Sequence, residues 1–462
     1  MRHLALAAAL ALLPAASQAA APGQWHQTAR DIYKQAIEIP TVEGRKGTNA
    51  ALAEALKARF VAAGITDATV RPYADTAALV VRWPAAGKAS AKPIMLMAHM
   101  DVVEALPADW SVTDPFKLVE KDGYFYGRGT SDDKQGVVAV TTALLQLKAE
   151  GFRPTRDIIV LFTGDEETAG EGARLAANEW PEFKGLEYGL NADGGGGGFR
   201  KDGSPLGFGL QTAEKTYVSY SFTTRNPGGH SSQPRPDNAI YQLADALKRL
   251  ETHRFQPALN ETTRAYFTER AKQEKGPLGD AMRRWLADEK DGAAADAIEA
   301  SEEEVGRTRT RCVATRLAGG HADNALPQTA RATVNCRILP GVDPSVIEAE
   351  LKALAGPLVE VATSDPGTPT PASPLRPDVV RAYTAAVHAR HPGSPIIPQM
   401  STGATDGLFF RAVGVPVYGV DGAWGVVPDD DRAHGKDERL AVKALYDNVD
   451  HWHAMISALA GK

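Results

Sequence analysis

A chain of 462 residues can form two or three domains with sizeable cores, and its composition, 43% hydrophobic and 23% charged, is ordinary for a globular protein. The formal net charge of −6 argues against nucleic acid or an anionic membrane as a partner, because both select for an excess of lysine and arginine.

The first twenty residues have the composition of an export signal. Arg2 and His3 precede an apolar run at residues 4–16 that is too short to span a bilayer, and small residues follow at 17–19. We therefore exclude residues 1–20 from the fold and predict an exported chain, periplasmic or secreted, with no stable membrane association after cleavage. An uncleaved anchor is the alternative, and no later segment has a transmembrane pattern.

Residues 21–213 alternate helical and strand-like patterns, which predicts an α/β domain with a mostly parallel central sheet. Helices are predicted at residues 49–63 and 134–149. Short apolar runs bounded by breakers predict buried strands at residues 79–83, 94–98, 158–163 and 188–192.

Residues 214–365 predict a second, smaller α+β domain in which two helices pack against four strands. A polar, alanine-rich stretch at 254–308 predicts a helical insertion within this domain. The proline-rich residues 365–374 have the composition of a linker. Residues 366–462 then predict a return to the first domain through a helix, a strand and a final helix.

The two cysteines, Cys312 and Cys336, lie in strand-like runs, twelve residues on either side of Asn324. If these runs pair as an antiparallel hairpin, the sulfurs could be neighbours, and an exported protein could oxidise them. Two buried free thiols fit the sequence equally well, because a disulfide requires a Cα separation that the sequence does not give.

Acidic and histidine residues fall at the ends of the predicted strands. His99 follows the strand at 94–98, and Asp101, two residues on, could share its face and orient the imidazole. Asp132 lies in a glycine-containing turn before the helix at 134–149, where simple helix capping is the alternative interpretation.

Three more carboxylates follow the next two strands. Glu166 and Glu167 come after residues 158–163, and Asp193 closes residues 188–192. Since ligands gather outside the carboxyl ends of strands in α/β sheets, we expect one acidic cluster, which would repel itself without cations. The mixed oxygen and nitrogen donors favour divalent metals, zinc first. Five glycines follow at 194–198, but without a Lys-Ser/Thr pair they do not predict a phosphate loop.

Six motifs, in this order and over nearly all of the mature chain, resemble the M20 family of metallopeptidases and aminoacylases, also called the peptidase M20/M25/M40 family. They are His99-x-Asp101, Gly127-Arg128-Gly129-x-x-Asp132-Asp133-Lys134, Asp165-Glu166-Glu167, Asp193-Gly194, Gly228-Gly229-His230-Ser231-Ser232 and Ala433-His434-Gly435-Lys436-Asp437-Glu438. One departure is Gln135, where many members have glycine; here the glycine comes at 136.

The resemblance implies a zinc-peptidase-like catalytic domain, interrupted by a lid/dimerisation domain through which two chains form a homodimer. It also implies two divalent metal ions, zinc or alternatively cobalt or manganese. Asp132 would bridge the two ions. His99 and Asp193 would complete one site, and Glu167 and His434 the other.

The remaining roles are implied in the same way. Glu166 would be the general base, and Asp101 would orient His99. His230 of the lid would stabilise the oxyanion, often across a dimer, although a turn residue after two glycines is the alternative. The substrate's free carboxylate would be held by Asn324, Arg337 and Gly403; for Arg337 the alternative is an ordinary surface charge on a strand.

The predicted function is hydrolysis of a peptide or amide bond in a small substrate with a free carboxylate, as in a carboxypeptidase or dipeptidase. An N-acyl-amino-acid amidohydrolase is the alternative. A non-catalytic exported binding protein of the same fold would be expected to lack Glu166 or a metal ligand, and none is missing. A serine hydrolase is disfavoured because the sequence has no Gly-x-Ser-x-Gly motif.

Overall fold

The computed structural model describes residues 22–461, so the predicted export signal at residues 1–20 lies outside the described residues. Within residues 22–461, no helix combines the length and the apolar character needed to cross a bilayer.

The strands, in chain order, are β1 (Asp67–Tyr73), β2 (Thr76–Trp83), β3 (Ile94–His99), β4 (Val119–Lys121), β5 (Tyr124–Tyr126), β6 (Ile158–Thr163), β7 (Tyr188–Phe199), β8 (Pro205–Glu214), β9 (Thr216–Arg225), β10 (Gly229–His230), β11 (Arg311–Gly319), β12 (Ala325–Leu326), β13 (Thr329–Ile338), β14 (Glu360–Asp365), β15 (Ile396–Ser401), β16 (Val417–Val426) and β17 (Arg439–Ala441). The helices are α1 (Pro22–Glu38), α2 (Thr48–Ala62), α3 (Lys134–Ala149), α4 (Glu171–Asn178), α5 (Ala239–Thr252), α6 (Glu261–Gln273), α7 (Gly276–Ala287), α8 (Gly292–Glu299), α9 (Pro344–Ala355), α10 (Pro377–His388), α11 (Gly407–Ala412) and α12 (Val442–Ala460).

The larger domain is built on an eight-stranded mixed sheet in the order β1-β2-β6-β3-β7-β16-β8-β15. The four central strands, β6, β3, β7 and β16, are parallel, and β15 is parallel to β8. The pairs β1–β2, β2–β6 and β16–β8 are antiparallel. The predicted α/β class is confirmed, and the parallel pairing expected for the sheet is found mainly at its centre.

Helices cover both faces of this sheet. One face packs against α1, α2, α3, α10 and α12, and the other against α4 and α11. Every residue of β3 and β6 is therefore buried, which explains why these strands appear in the sequence as continuous apolar runs rather than as alternating patterns.

The smaller domain is a four-stranded antiparallel sheet in the order β11-β13-β9-β14, with α5 and α9 packed on one face. We call it the lid. Cys312 and Cys336 are direct partners across β11 and β13 and form a disulfide with a Cα–Cα distance of 4.0 Å. The hairpin and the pairing that the sequence left open are therefore both present. Strand β11 is an edge strand whose residues from Val313 onward are exposed.

The helical insertion consists of α6, α7 and α8. Its core, centred on Phe267 and Trp285, includes Ile397 of β15, and the hydroxyl oxygens of Thr262 and Thr212 lie 2.6 Å apart. The insertion interrupts the lid along the chain, yet its core packs on the edge strand of the catalytic sheet. It therefore stands beside the carboxyl ends of the strands that carry the acidic cluster.

Candidate metal centre

The carboxyl ends of β3 and β6 bring the predicted cluster together. His99 is the last residue of β3 and is 1% exposed; its Nε2 lies 3.0 Å from Oδ1 of Asp132. Its Nδ1 lies 3.0 Å from the carbonyl oxygen of Asp101 and 3.6 Å from the carboxylate of that residue. The backbone carbonyl of Asp101 is thus the nearer acceptor for the imidazole.

The carboxylate of Asp101 serves a second purpose. It accepts the backbone N–H groups of Glu166 and Glu167 at 3.1 and 3.0 Å and so holds the turn that follows β6. Side chains two residues apart share a face only inside a strand, and this rule predicted Asp101 on the same face as His99. Because β3 ends at His99, the rule does not extend to Asp101.

Asp132 lies between two histidines. Its Oδ1 faces His99, and its Oδ2 lies 3.1 Å from Nε2 of His434, which is itself 3.0 Å from the carboxylate of Glu167. His434 comes from a loop more than 300 residues away along the chain. One carboxylate with an imidazole on each of its oxygens is the arrangement expected of a ligand that bridges two ions.

Two groups of donor atoms have the spacing of metal sites. One consists of His99, Glu166 and Asp193, and the other of His99, Asp132 and Glu167; within each group all ligand atoms lie within 4.8 Å of one another. Glu166, which the family resemblance implies as the base, is therefore within reach of the ion that His99 and Asp193 would hold.

The electrostatics of the cluster fit divalent cations. Burial, and then the charge of Asp193, raises the pKa of Glu166 well above its usual range. Burial also raises the pKa of Asp193, and the charge of Asp132 adds to this. Burial acts on Asp132 in the same direction, but hydrogen bonds from His434 and His99 hold its pKa below the usual range. These carboxylates repel one another unless cations neutralise them, and their oxygen and nitrogen donors suit zinc-like ions.

A buried ion pair joins the two loops that carry these ligands. Glu438 accepts hydrogen bonds from the backbone N–H groups of Ser131 and Asp132 and pairs with Nη1 of Arg128 at 2.6 Å. Nη2 of Arg128 donates to the carbonyl oxygens of His434 and Gly435. Both residues belong to motifs that the sequence singles out, but no role was predicted for either of them.

The departure at Gln135 has a structural explanation. Its amide nitrogen donates to Asp133 at 3.1 Å and to Asp421 at 3.2 Å, behind the metal ligands. Gly136 is the residue that needs to be glycine, because a Cβ there would collide with the carboxylate of Asp133 and with Ala192. The glycine one position later therefore leaves the ligand geometry intact.

Arg337 and Gly403, predicted to hold a substrate carboxylate, lie close together at the boundary between the domains. Nη1 of Arg337 donates to the carbonyl oxygen of Thr402 at 3.2 Å, and its guanidinium lies 4.7 Å from the ring centroid of Tyr217. No carboxylate lies within 4.0 Å of the guanidinium of Arg337 anywhere in residues 22–461. This cation is therefore available to an external anion.

His230 and Asn324 lie apart from the ligand cluster in the single chain. They are neighbours at the small sheet of β10 and β12: Asn324 directly precedes β12, and the backbone N–H of Ser231 donates to its carbonyl oxygen at 3.0 Å. Both side chains are exposed, and Nδ1 of His230 lies 2.7 Å from the hydroxyl of Ser232. Among the described residues, neither side chain makes a hydrogen bond to a member of the ligand cluster.

Two cavities open beside the cluster. The larger, about 620 Å³, runs from Asp132 and Asp193 along the glycines of β7 and is bounded on one side by the insertion residues Tyr266 and Arg307. The smaller, about 360 Å³, lies between Asp193 and the loop that contains Thr402. A substrate of modest size can thus reach the proposed ligands from two sides.

Comparison with known proteins identifies the family. A model of peptidase family M20/M25/M40 matches residues 95–458. The N-fatty-acyl-amino acid synthase/hydrolase PM20D1 of Xenopus tropicalis is 30% identical over 363 residues, which cover 76% of this chain and 70% of that protein. Aminoacylase-1 of Mus musculus is 26% identical over 439 residues, which cover 93% of this chain and 94% of that protein.

The fold agrees with these similarities. The M20 family metallo-carboxypeptidase Sso-CP2 from Sulfolobus solfataricus superimposes with a TM-score of 0.69 at 18% identity, and the match covers 93% of this chain and 98% of that chain. The family predicted from the six motifs is confirmed, as is the prediction of an enzyme. The chain belongs to peptidase family M20/M25/M40 and is a metal-dependent hydrolase.

Proposed function

We propose that this enzyme uses two divalent ions to cleave the peptide or amide bond of a small substrate whose C-terminal part carries a free carboxylate. The observation that carries the proposal is the position of Asp132, with imidazole nitrogens of His99 and His434 at 3.0 and 3.1 Å from its two oxygens. A carboxylate in this position can serve two ions at once. The substrate would be a small peptide or an N-acyl amino acid.

The ligands divide into two sets around Asp132. His99 and Asp193, which belong to one group of donor atoms within 4.8 Å, would complete the first set, and Glu167 and His434, 3.0 Å apart, would complete the second. When bound, the two ions would polarise the scissile carbonyl and lower the pKa of the attacking water. Zinc suits this donor set best, and cobalt or manganese are the alternatives.

Glu166 is placed to move the proton. Its side chain is 14% exposed, and its carboxylate lies 4.0 Å from Nε2 of His99. Because Glu166 shares a group of donor atoms with His99 and Asp193, its carboxylate would lie within reach of the attacking water. It takes the proton of the attacking water and delivers it to the leaving amine, as general acid–base catalysis requires.

Arg337 gives the substrate its orientation. Its guanidinium has hydrogen-bonding capacity left after the contact with Thr402, and guanidinium binds carboxylate in a bidentate manner. Together with Gly403, it would fix the substrate's free carboxylate, and Asn324, which neighbours His230 on the lid, would reach that group from a second copy of the chain. The scissile carbonyl is thereby placed next to the attacking water.

We propose that two copies of the chain associate through the lid. Strand β11 is an unpaired edge with exposed apolar side chains at Val313 and Leu317, 53% and 69% exposed, which supports pairing with a second copy. His230, remote from the ligands of its own chain, could then approach the oxyanion of the partner's site.

We propose an N-acyl amino acid as the second candidate substrate. Two of the similar proteins are named for this chemistry, the N-fatty-acyl-amino acid synthase/hydrolase and aminoacylase-1. The hydrolytic machinery described above acts on the amide bond and makes no demand on the group that precedes it, so a peptide and an N-acyl amino acid differ only in what fills the cavity beyond Asp193.

We further propose that the enzyme is exported to the periplasm or the exterior. The charged and then apolar N-terminal residues support this proposal, as does the disulfide between Cys312 and Cys336, since disulfides persist mainly in oxidising compartments.

A substrate panel tests the proposed function. Dipeptides and N-acyl amino acids are incubated with the zinc-loaded enzyme, each beside an analogue whose C-terminal carboxylate is amidated. We expect hydrolysis of free acids, loss of activity on metal removal, and at least a tenfold preference over the amides, because Arg337 then lacks its ionic partner. Equal hydrolysis of acids and amides would contradict the role of Arg337, and activity in verified metal-free enzyme would contradict the whole proposal.

A further inference from the structure

The run of five glycines after Asp193 is a sequence feature that the proposed chemistry leaves unused. It extends β7 past the metal ligands, between β16 on one side and β8 on the other. The larger cavity follows this run, so the strand has no side chains where it forms the floor of a groove. Five glycines weaken a strand, because each loses more conformational entropy on folding than a residue with a side chain.

Packing accounts for two of the five and backbone conformation for two more. A Cβ at Gly194 would collide with Gln211, and one at Gly197 would collide with the ring of Phe208. Gly195 and Gly196 have φ angles of +93° and +77°, which other residues rarely adopt. Gly198 differs from them, because its φ is ordinary and a Cβ there would meet its nearest neighbours at 3.4 Å, an ordinary van der Waals distance.

The neighbours of that missing Cβ are apolar and line the groove. They are Leu206 and Val427, and Trp424 lines the groove nearby. A side chain at position 198 would therefore project into the far end of the groove. Gly198 lies five residues beyond Asp193, at most about 16 Å away at roughly 3.3 Å per residue of extended chain.

The opposite wall belongs to the insertion and offers few free charges. Glu304 is fully buried and accepts hydrogen bonds from Arg270 and from the hydroxyl of Tyr266. The guanidinium of Arg307 stacks over the ring of Tyr266 at 4.7 Å and lies 3.4 Å from Glu304. Glu303, 3.2 Å from Arg270, supplies the second carboxylate, so the two arginines and two glutamates of this wall balance in charge and the ring of Tyr266 lies beneath the guanidinium of Arg307.

We propose that this groove binds the acyl side of the substrate as an extended aliphatic chain, and that the absence of a side chain at Gly198 sets the length of chain it accepts. The inference rests on the proposed amidohydrolase function, because the amide bond must lie at the ligands Asp132 and Asp193. It gives the insertion a role: α6 and its neighbours close one side of a groove that would otherwise be open.

Substitution of Gly198 by leucine tests the length limit. The assay measures kcat/KM for N-acetyl, N-octanoyl and N-lauroyl derivatives of one amino acid. In the variant we expect the ratio of kcat/KM for the lauroyl to the acetyl substrate to fall about tenfold or more, the loss that follows when two methylene groups are denied burial. Inhibition by free laurate should weaken in parallel. Gly87→Leu is the control, because Gly87 is exposed with no atom within 4 Å of its Cβ position, and its ratio should match the wild type.

A second variant covers the case in which Gly198→Leu does not fold. Leu206→Asn places an amide at the same end of the groove and should lower the same ratio. If the acetyl substrate is cleaved and either folded variant keeps the wild-type ratio, the groove does not hold the acyl chain. If the wild type cleaves dipeptides but no N-acyl amino acid, the inference is overturned while the proposed function stands; if it cleaves neither class, the proposed function itself fails. A wild-type enzyme that cleaves the acetyl but not the lauroyl substrate would also overturn the inference.

Discussion

Replacing Glu438 by glutamine would show how strongly the two ligand-bearing loops depend on their common anchor. The carboxylate is fully buried and accepts the backbone N–H groups of Gly129, Ser131 and Asp132, in addition to its pairing with Arg128. Glutamine preserves the volume of the side chain, but its NH₂ group is a donor and would face one of these backbone N–H donors, so that hydrogen bond would be lost. The guanidinium of Arg128 would also be left as a buried charge without a counter-ion.

The expected cost follows from the burial of this pair, whose side chains are 4% and 0% exposed. Removing one partner of a buried ion pair typically costs about 3–5 kcal/mol. The lower end applies here, because Arg128 keeps its hydrogen bonds to two carbonyl oxygens and its contact with the ring of Trp110. Since Asp132 and His434 also lose their shared support, zinc affinity should fall by about 10- to 100-fold.

Two assays measure these effects. Urea denaturation of the metal-free protein, followed by circular dichroism, gives the change in free energy of unfolding, and competition with a chelating dye gives the zinc affinity. Glu360→Gln is the matched control, because its pair with Arg225 at 3.7 Å is more than half exposed and should contribute less than about 1 kcal/mol. If Glu438→Gln behaves like this control in both assays, the pair does not anchor the centre.

Two further predictions concern the base and the response to acid. Glu166→Gln should retain most of its bound zinc, measured by elemental analysis, while kcat falls by about 10²- to 10⁴-fold because proton transfer is lost; a variant with full activity would rule out this base. Burial raises the pKa of Asp447, but the imidazole of His391 at 3.4 Å and hydrogen bonds from Lys443 and Trp424 outweigh it and bring the pKa to about 2. A lowered pKa stabilises the fold above the ordinary value of 3.8, and this contribution, on the order of 2 kcal/mol, disappears as the pH falls through about 2. Urea denaturation between pH 5 and 2 should therefore show a steeper loss of stability in the wild type than in Asp447→Asn, and parallel curves would refute the shift.

The sequence predicted those elements whose pattern is decided locally. The bounds of α3, at 134–149, and of β6, at 158–163, agree residue for residue with the structure, because one is a continuous helical pattern and the other a buried apolar run between breakers. Strand β8 was missed because glycine and polar residues interrupt its apolar pattern, and β15 because it is short and contains proline. Strand β7 continues through the glycines only because β8 and β16 pair with it.

The placement of the insertion could not be predicted for a different reason. Its helical character is local, but the residue that fixes its position, Ile397, follows the end of α8 by nearly 100 residues. A contact between distant segments leaves no periodic trace in either of them. The same holds for Thr212 and Thr262, whose hydrogen bond ties the insertion to β8.

Within the site, the sequence predicted the residues at strand ends better than those brought in from elsewhere. His99, Glu166 and Asp193 could be expected together because parallel strands end at one edge. His434 has no such signal, since it lies in a loop after β16, and only the family motif distinguished it from the other histidines. The anchor formed by Arg128 and Glu438 depends on a contact across 310 residues and was visible only in the structure.

Anomalous X-ray diffraction at the zinc absorption edge, on crystals of the zinc-loaded enzyme, tests the central claim most directly. We expect two peaks per chain, both in contact with Asp132. One should also contact His99 and Asp193, and the other Glu167 and His434. A single peak, or two peaks without Asp132 between them, would contradict the dinuclear centre.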